Sequence, residues 1–247
     1  MRLGALLSLG NATSPQALAD QARMYEAEGY SSLWTPQAIG RGFMLPDPFT
    51  TLAVAATVTG LEIGTAVLQV PLYHPADLAH RIFSLMQLAP GRLRLGVGAG
   101  STDRDFSAYG RVYTDRFRDF RNSVNDLRTL LTTGRNDVCD LSPWPHLEPP
   151  EILLGSWGEG VRKAAADYDG WIASANYRST DQVEAAIRTY RSAGGGRAIV
   201  STIMVGPDRD AGELKALLGR FAQAGFDDAV VMRLPGGLAA DKIRNMI

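Results

Sequence analysis

Eight short apolar runs, each followed by an amphipathic stretch, alternate from one end of this 247-residue chain to the other. The strand candidates cover 2–9, 30–35, 61–66, 92–98, 151–155, 170–174, 198–205 and 228–233. The helical candidates cover 15–28, 47–58, 75–88, 115–132, 160–167, 180–193, 211–224 and 238–247. Strict strand–helix alternation predicts a parallel sheet with helical crossovers. Eight units favour closure into a (β/α)8 TIM barrel over an open sheet, and such an α/β barrel takes about 250 residues. The expectation is one barrel domain over 1–247, of near-minimal length.

Local chemistry agrees with those boundaries. Ser14-Pro15 offers an N-cap followed by proline at the first helical position. Gly29 and Gly225 stand where helices need a left-handed residue to stop. The one long irregular stretch, 133–150, holds Pro143, Pro145, Pro149 and Pro150, which exclude helix and central strand. It is read as a loop and a candidate lid at the active-site mouth.

Composition narrows the partners. A net charge of −1 gives no field that would gather nucleic acid or an anionic membrane. Cys139 is the sole cysteine, so no internal disulfide forms, and a reducing compartment is favoured. His74, His80 and His146 lack metal-ligand spacing, so no metal is expected. The apolar N-terminus is too short for a secretory signal and no run reaches the roughly 20 apolar residues of a membrane span. The expectation is a cytoplasmic protein.

In a barrel of this kind the loops after the strand C-termini carry function. Four stretches at such ends stand out. They are Glu28-Gly29-Tyr30-Ser31-Ser32-Leu33-Trp34, then Ile63 to Pro75 (IGTAVLQVPLYHP), then Pro90 to Gly100 (PGRLRLGVGAG) running on to Asp105-Phe106 and Tyr109-Gly110, and finally Pro149 to Ser156 (PPEILLGS) ending at Asp169-Gly170-Trp171. In this order and spacing the chain resembles the luciferase-like monooxygenase family, meaning bacterial luciferase and its FMN- or coenzyme F420-dependent relatives. The resemblance runs from residue 2 to about 175; beyond 180 only the generic barrel pattern continues.

The resemblance implies a flavin-type cofactor in the mouth, with Ala66, Val67, Gly98, Ala99, Gly100, Ser101, Gly155, Ser156, Trp157 and Gly158 as its binding residues. It implies a non-prolyl cis peptide at Ala66–Val67, against an ordinary strand end on the residues alone. Glycines at 96, 98 and 100 would let backbone approach a flat ring, although any tight strand-to-loop turn uses the same pattern. The turn from Gly155 to Gly160 opens a helix, whose free N–H groups form an anion site, and relatives place the cofactor phosphate there. Glu159 counts slightly against that unless it points outward. Arg104, Arg111, Arg116, Arg118 and Arg121 could receive an anionic tail, but the interleaved acids favour a solvated, salt-bridged surface. His74 reads as a helix cap, Trp34 and Trp171 as core, and Trp144 and Trp157 as mouth residues able to flank a ring.

The chain also departs from the family. Where many relatives carry an acid and a His after the second strand, it has Gln37 and Ala38, and Asn122 replaces an acid usual near the start of the fourth helix. No catalytic residue can be named; Gln37 remains as a hydrogen-bonding candidate. Three readings follow: a reduced-FMN-dependent monooxygenase acting on a small organic substrate, served by a separate flavin reductase; a coenzyme F420-dependent hydride-transfer oxidoreductase; or a flavin-binding protein without turnover. Apolar residues beyond one barrel-facing stripe (Leu52, Val54, Val58, Leu78, Ile82, Phe83, Leu85 and Met86) predict a homodimer through the second and third helices, where relatives dimerise.

Overall fold

The apolar runs become the strands of a closed parallel barrel. The computed structural model describes residues 1–7, 14, 16–42, 45–142 and 147–247. In chain order the elements are β1 (Arg2–Leu6), α1 (Ala17–Ala27), β2 (Ser32–Thr35), α2 (Pro48–Val58), β3 (Glu62–Thr65), β4 (Leu68–Gln69), α3 (Pro75–Leu88), β5 (Leu93–Gly98), α4 (Asp103–Ala108), α5 (Arg116–Thr133), β6 (Arg135–Asn136) and β7 (Cys139–Asp140). They continue with β8 (Glu151–Gly155), α6 (Glu159–Asp167), β9 (Gly170–Ser174), α7 (Thr180–Ser192), β10 (Arg197–Val205), α8 (Ala211–Ala224), β11 (Asp228–Arg233) and α9 (Ala240–Arg244). Neighbours around the ring run β3, β2, β1, β11, β10, β9, β8, β5, and a β3–β5 pairing closes it. The short β4 follows β3 and pairs with the end of β5, Leu68 with Val97 and Gln69 with Gly98.

Helix starts follow their capping chemistry. Asp47 accepts from the Thr50 N–H at 2.9 Å with Pro48 in the first turn. His74 caps α3, its Nδ1 accepting from the Ala76 N–H at 3.2 Å. Ser179 and Gln182 form a reciprocal capping box on α7.

The apolar core has two layers. The larger lies between sheet and helices and contains Trp171. The smaller fills the barrel: Leu6, Trp34, Leu153, Ile172, Ile199 and Val230. Trp34 is fully buried there because glycines face it; a Cβ on Gly64 would sit 2.6 Å from Trp34 Cε3. Its indole N–H donates to Ser32 Oγ at 2.8 Å. The floor, at the strand N-termini, is an ion network of Arg2, Glu62, Arg94, Glu151, Arg197 and Asp228.

Two expectations need correction. In its described residues, 133–142 and 147–150, the 133–150 segment is not a mouth lid: it leaves the C-terminus of α5 through the small antiparallel pair β6–β7 and leads into Glu151 of the floor network, 2.9 Å from Arg94. A helix-to-strand return necessarily runs to the strand N-termini, the face opposite the mouth. Trp144 and His146, at 143–146, lie outside the described residues. The apolar stripe is also not surplus. Leu52, Leu78, Ile82, Phe83, Leu85 and Met86 are at most 5% exposed, packed within this one chain, and only Val54 and Val58 are half-buried. The dimer expectation then rests on the resemblance alone.

Among the described residues no helix is long and apolar enough to cross a membrane, and no cluster of His, Cys, Asp or Glu could hold a metal ion.

Candidate functional site at the barrel mouth

The strand C-termini of β3, β5 and β8 meet around one side chain. The Ala66–Val67 peptide is cis. Val67 is half-buried at the mouth, in contact with the barrel-interior cluster. A Cβ on Gly98 would meet Val67 Cγ2 at 3.0 Å and the Gly155 carbonyl at 3.4 Å; one on Gly155 would meet Val67 Cγ1 at 2.7 Å. Gly155 is therefore needed for backbone to close on Val67, Gly98 keeps the approach uncrowded, and the two leave a cradle with few side-chain obstructions. Gly100 turns the chain away with φ +84°. Ala99 is half-buried, and Ser101 is exposed with its carbonyl accepting from Tyr113 Oη at 3.0 Å.

Beside the cradle, Gly158 (φ +60°) leads into α6, whose N-terminus has no side-chain cap. Ser156 Oγ is buried without a hydrogen-bond partner, and it packs over the first turn, where a Cβ on Gly160 would come within 3.1 Å of it. An orphaned hydroxyl is costly, about 1–3 kcal/mol. The Ser156 carbonyl accepts from the Trp171 indole at 3.0 Å. Trp157 stands edge-on to Trp171, with the Arg178 guanidinium 5.1 Å from its ring centre. Glu159 is exposed.

A polar chain that the sequence reading missed stitches the rim together. Asp105, fully buried, accepts from Arg41 through Nε at 2.9 Å and through Nη2, and from Gln69 Nε2 at 2.7 Å. The Gln69 N–H donates to Gln37 Oε1 at 2.8 Å, and Gln37 Nε2 donates to Tyr73 Oη at 2.7 Å. Gln37 is thus engaged at both ends, tying the loop after β2 to β4 and to the start of α3, with Ala38 buried beside it. Hydrogen bonding to Asp105 raises the Arg41 pKa, and burial raises that of Tyr73, which stays a neutral hydroxyl. The sequence places Asp105 in the resemblance and among the interleaved acids of a solvated loop; the structure buries it fully, and its signal was an acid set directly before a core phenylalanine, Phe106.

Across the barrel, β10 carries a bulge between Val200 and Ile203. Thr202 within it has φ +59°, the one non-glycine with positive φ among the described residues. For a β-branched residue this costs roughly 1–3 kcal/mol.

Of the five arginines singled out, Arg118 pairs with Asp115 (2.9 Å) and Asp119 (3.0 Å), and Arg116 lies over the Tyr113 and Phe117 rings. Arg104, Arg111 and Arg121 are exposed, as is Asn122 on α5. Arg104, Arg111, Arg118 and Arg121 are the solvated surface expected of interleaved charges; the half-buried Arg116 and the buried Asp105 are not.

The profile of the luciferase-like monooxygenase family matches residues 1–242. The chain belongs to that family. Among curated relatives, 4-hydroxyprotoasukamycin monooxygenase of Streptomyces nodosus subsp. asukaensis is 33% identical over 51% of this chain and 34% of its own length. The F420-dependent hydroxymycolic acid dehydrogenase of Mycobacterium tuberculosis is 28% identical over 85% of this chain and 64% of its own length. The chain therefore covers less than two-thirds of either protein. The crystal structure of monooxygenase RslO1 from Streptomyces bottropensis superposes with a TM-score of 0.79 at 18% identity, covering 100% of this chain and 96% of that one. Such a likeness shows a common fold. The relatives that match this chain thus include, by name, both a monooxygenase and an F420-dependent dehydrogenase.

Proposed function

We propose that this chain is a flavin-type oxidoreductase whose cofactor lies in the mouth, its ring against Val67, Gly98 and Gly155 and its phosphate at the Ser156–Gly160 turn. The observation that carries the reading is the pairing of a glycine-walled cradle with an orphaned Ser156 hydroxyl at an uncapped helix N-terminus. The first suits a flat ring approached by backbone, and the second suits an anion, which both the N–H groups and the hydroxyl can bind. Ala99, Gly100 and Ser101 border the ring, with Trp157 and Gly158 beside the phosphate. When bound, the cofactor supplies the redox chemistry; these residues supply orientation and exclude water.

A monooxygenase reaction on a small organic substrate, run with reduced FMN as the resemblance implies, is the first assignment, and the monooxygenase relative supports the reaction. A separate flavin reductase would then provide reduced cofactor. Coenzyme F420 and hydride transfer is the second, supported by a dehydrogenase relative matched over 85% of the chain. Titration of the protein with FMN, FAD and coenzyme F420, followed by fluorescence, tests the reading. Saturable binding of FMN with substrate-dependent oxygen uptake is expected; saturable binding of F420 alone selects the second assignment, and binding of none overturns both. Tight FMN binding without turnover on any substrate selects a flavin-binding protein.

The rim chemistry carries a pH prediction. Gln37 and Ala38 offer no ionisable group where an acid or base would act, and Tyr73, raised by burial, keeps its proton. A positioned base contributes about 10²–10⁴-fold and imprints its pKa on the rate. The profile of kcat/KM is therefore expected to show no inflection from this rim between about pH 5 and 8, where a histidine would titrate. An inflection near pH 6.5 that disappears in a His74→Gln variant would place the proton-transfer group at His74 instead.

A further inference from the structure

Alternation along β10 fixes which way its side chains face. Val200 and Ile203 both pack in the outer layer between sheet and helices, while Ile199 belongs to the barrel interior. Two residues, Ser201 and Thr202, separate the outward pair, so the bulge turns both toward the barrel axis. Their hydroxyls lie 3.4 Å apart. Ser174, the last residue of β9 and next to outward Ala173, faces the same way and pairs in register with Ser201. Above them Met204 and Met232 are register partners across β10 and β11; Met232 contacts the interior cluster and Met204 is 36% exposed at the opening.

In the ring of eight strands, β10 stands diametrically opposite β3, the strand that leads to Val67. The mouth therefore has a glycine-lined side and, facing it, a wall of hydroxyls and thioethers. None of these five side chains (Ser174, Ser201, Thr202, Met204 and Met232) is charged. Thr202 holds its backbone in a conformation glycine would adopt freely, and it is half-buried, whereas Ser201 beside it is 1% exposed, so Thr202 is the more accessible of the two hydroxyl residues. Two hydroxyls side by side can donate to both lone pairs of one oxygen, and thioethers accommodate irregular apolar bodies.

We propose that the Ser201–Thr202 bulge, with Ser174 and the Met204–Met232 pair, is the substrate wall, and that it selects a neutral apolar compound bearing a carbonyl oxygen, held by the Thr202 hydroxyl. The assignment of this wall to substrate rests on the cofactor occupying the opposite, glycine-lined side.

The test uses 2-tetralone and tetralin, one bicyclic body with and without the carbonyl, as probes of the full chain by titration calorimetry and saturation-transfer NMR. The parent should bind the ketone more tightly than the hydrocarbon. Thr202→Val should weaken ketone binding about tenfold, the loss of one hydrogen bond, leaving tetralin and FMN or F420 affinity unchanged; Thr202→Ser should restore the ketone. Thr202→Gly, which also relieves the positive φ, should lose the ketone preference while melting at or above the parent temperature. The proposal is overturned if the parent does not prefer the ketone (including if it binds neither probe), if both hydroxyl-lacking variants keep the preference, or if Thr202→Val loses cofactor affinity. A kept ketone preference in a chain that binds no FMN, FAD or F420 would leave the carbonyl-binding wall standing and remove the cofactor reading instead.

Discussion

Replacing Gly98 with leucine is expected to weaken FMN and coenzyme F420 binding by more than about 100-fold, near 3 kcal/mol, with the barrel still folded. Gly98 is the last residue of β5, and its missing Cβ points toward Val67 and the Gly155 carbonyl. The 3.0 Å approach to Val67 Cγ2 is tight but meets a half-buried side chain at an open rim, which can yield by a few tenths of an ångström. The rest of the leucine then has only the mouth to occupy, where the proposed ring would lie. Gly96, two residues earlier, is a different case: a Cβ there would overlap the Thr65 carbonyl, a backbone atom that cannot give. Fluorescence titration gives the affinity and a circular-dichroism melt the fold. An unchanged Kd in a folded Gly98→Leu protein would move the cofactor away from this cradle.

The strands were legible because burial on both faces leaves short, nearly continuous apolar runs bounded by glycine. The β8, β9 and β11 boundaries of 151–155, 170–174 and 228–233 were read as they stand in the structure. Helix ends were legible where a side chain marks them, as at Pro75 after His74. The last helix was overextended, 238–247 against Ala240–Arg244, because an amphipathic pattern persists where no cap or stop residue is present. β4 was invisible: two residues, Leu68 and Gln69, make no periodic signal. The hydrophobic stripe on α2 and α3 was overread for a related reason. Periodicity counts apolar residues, but it cannot see that a neighbouring helix covers them.

The site divided in the same way. The glycine cradle and the Ser156 turn were legible through the resemblance and lie where barrel strands end. The chain from Arg41 through Asp105, Gln69 and Gln37 to Tyr73 was not, since it joins residues 32 to 64 positions apart and each looks ordinary locally. The bulge at Thr202 is likewise hidden: threonine in a β-rich run is what any strand contains, and its positive φ is set by tertiary pairing with β11. What sequence pattern fixes is which strand ends a ligand meets; what long-range pairing fixes is which atoms there are free to bind it.

At the opposite end of the barrel, Arg197→Met is expected to destabilise the fold by about 3–5 kcal/mol, the loss seen when one partner of a buried ion pair is removed. That corresponds to a melting temperature lower by roughly 10 °C for a chain of this size. Arg197 is 14% exposed; its Nε donates to Asp228 at 2.9 Å and its Nη1 to Glu62 at 3.0 Å. Burial alone would lower the Arg197 pKa, but the hydrogen bonds it donates to Glu62 and Asp228 outweigh that and raise it, so the guanidinium stays charged at any working pH. Methionine preserves much of the volume and removes the charge. Glu62 would keep Arg94 at 3.2 Å, whereas Asp228, 1% exposed, would be left with the half-exposed Arg2. Pairing Arg197→Met with Asp228→Asn, which removes the stranded charge, should recover part of the loss and so give a coupling of 1 kcal/mol or more in a double-mutant cycle. Cofactor affinity measured below the melting range should stay at the parent value, since the floor lies at the strand N-termini and the cradle at their C-termini. A variant that melts like the parent would show that the floor charges are balanced by solvent rather than by one another.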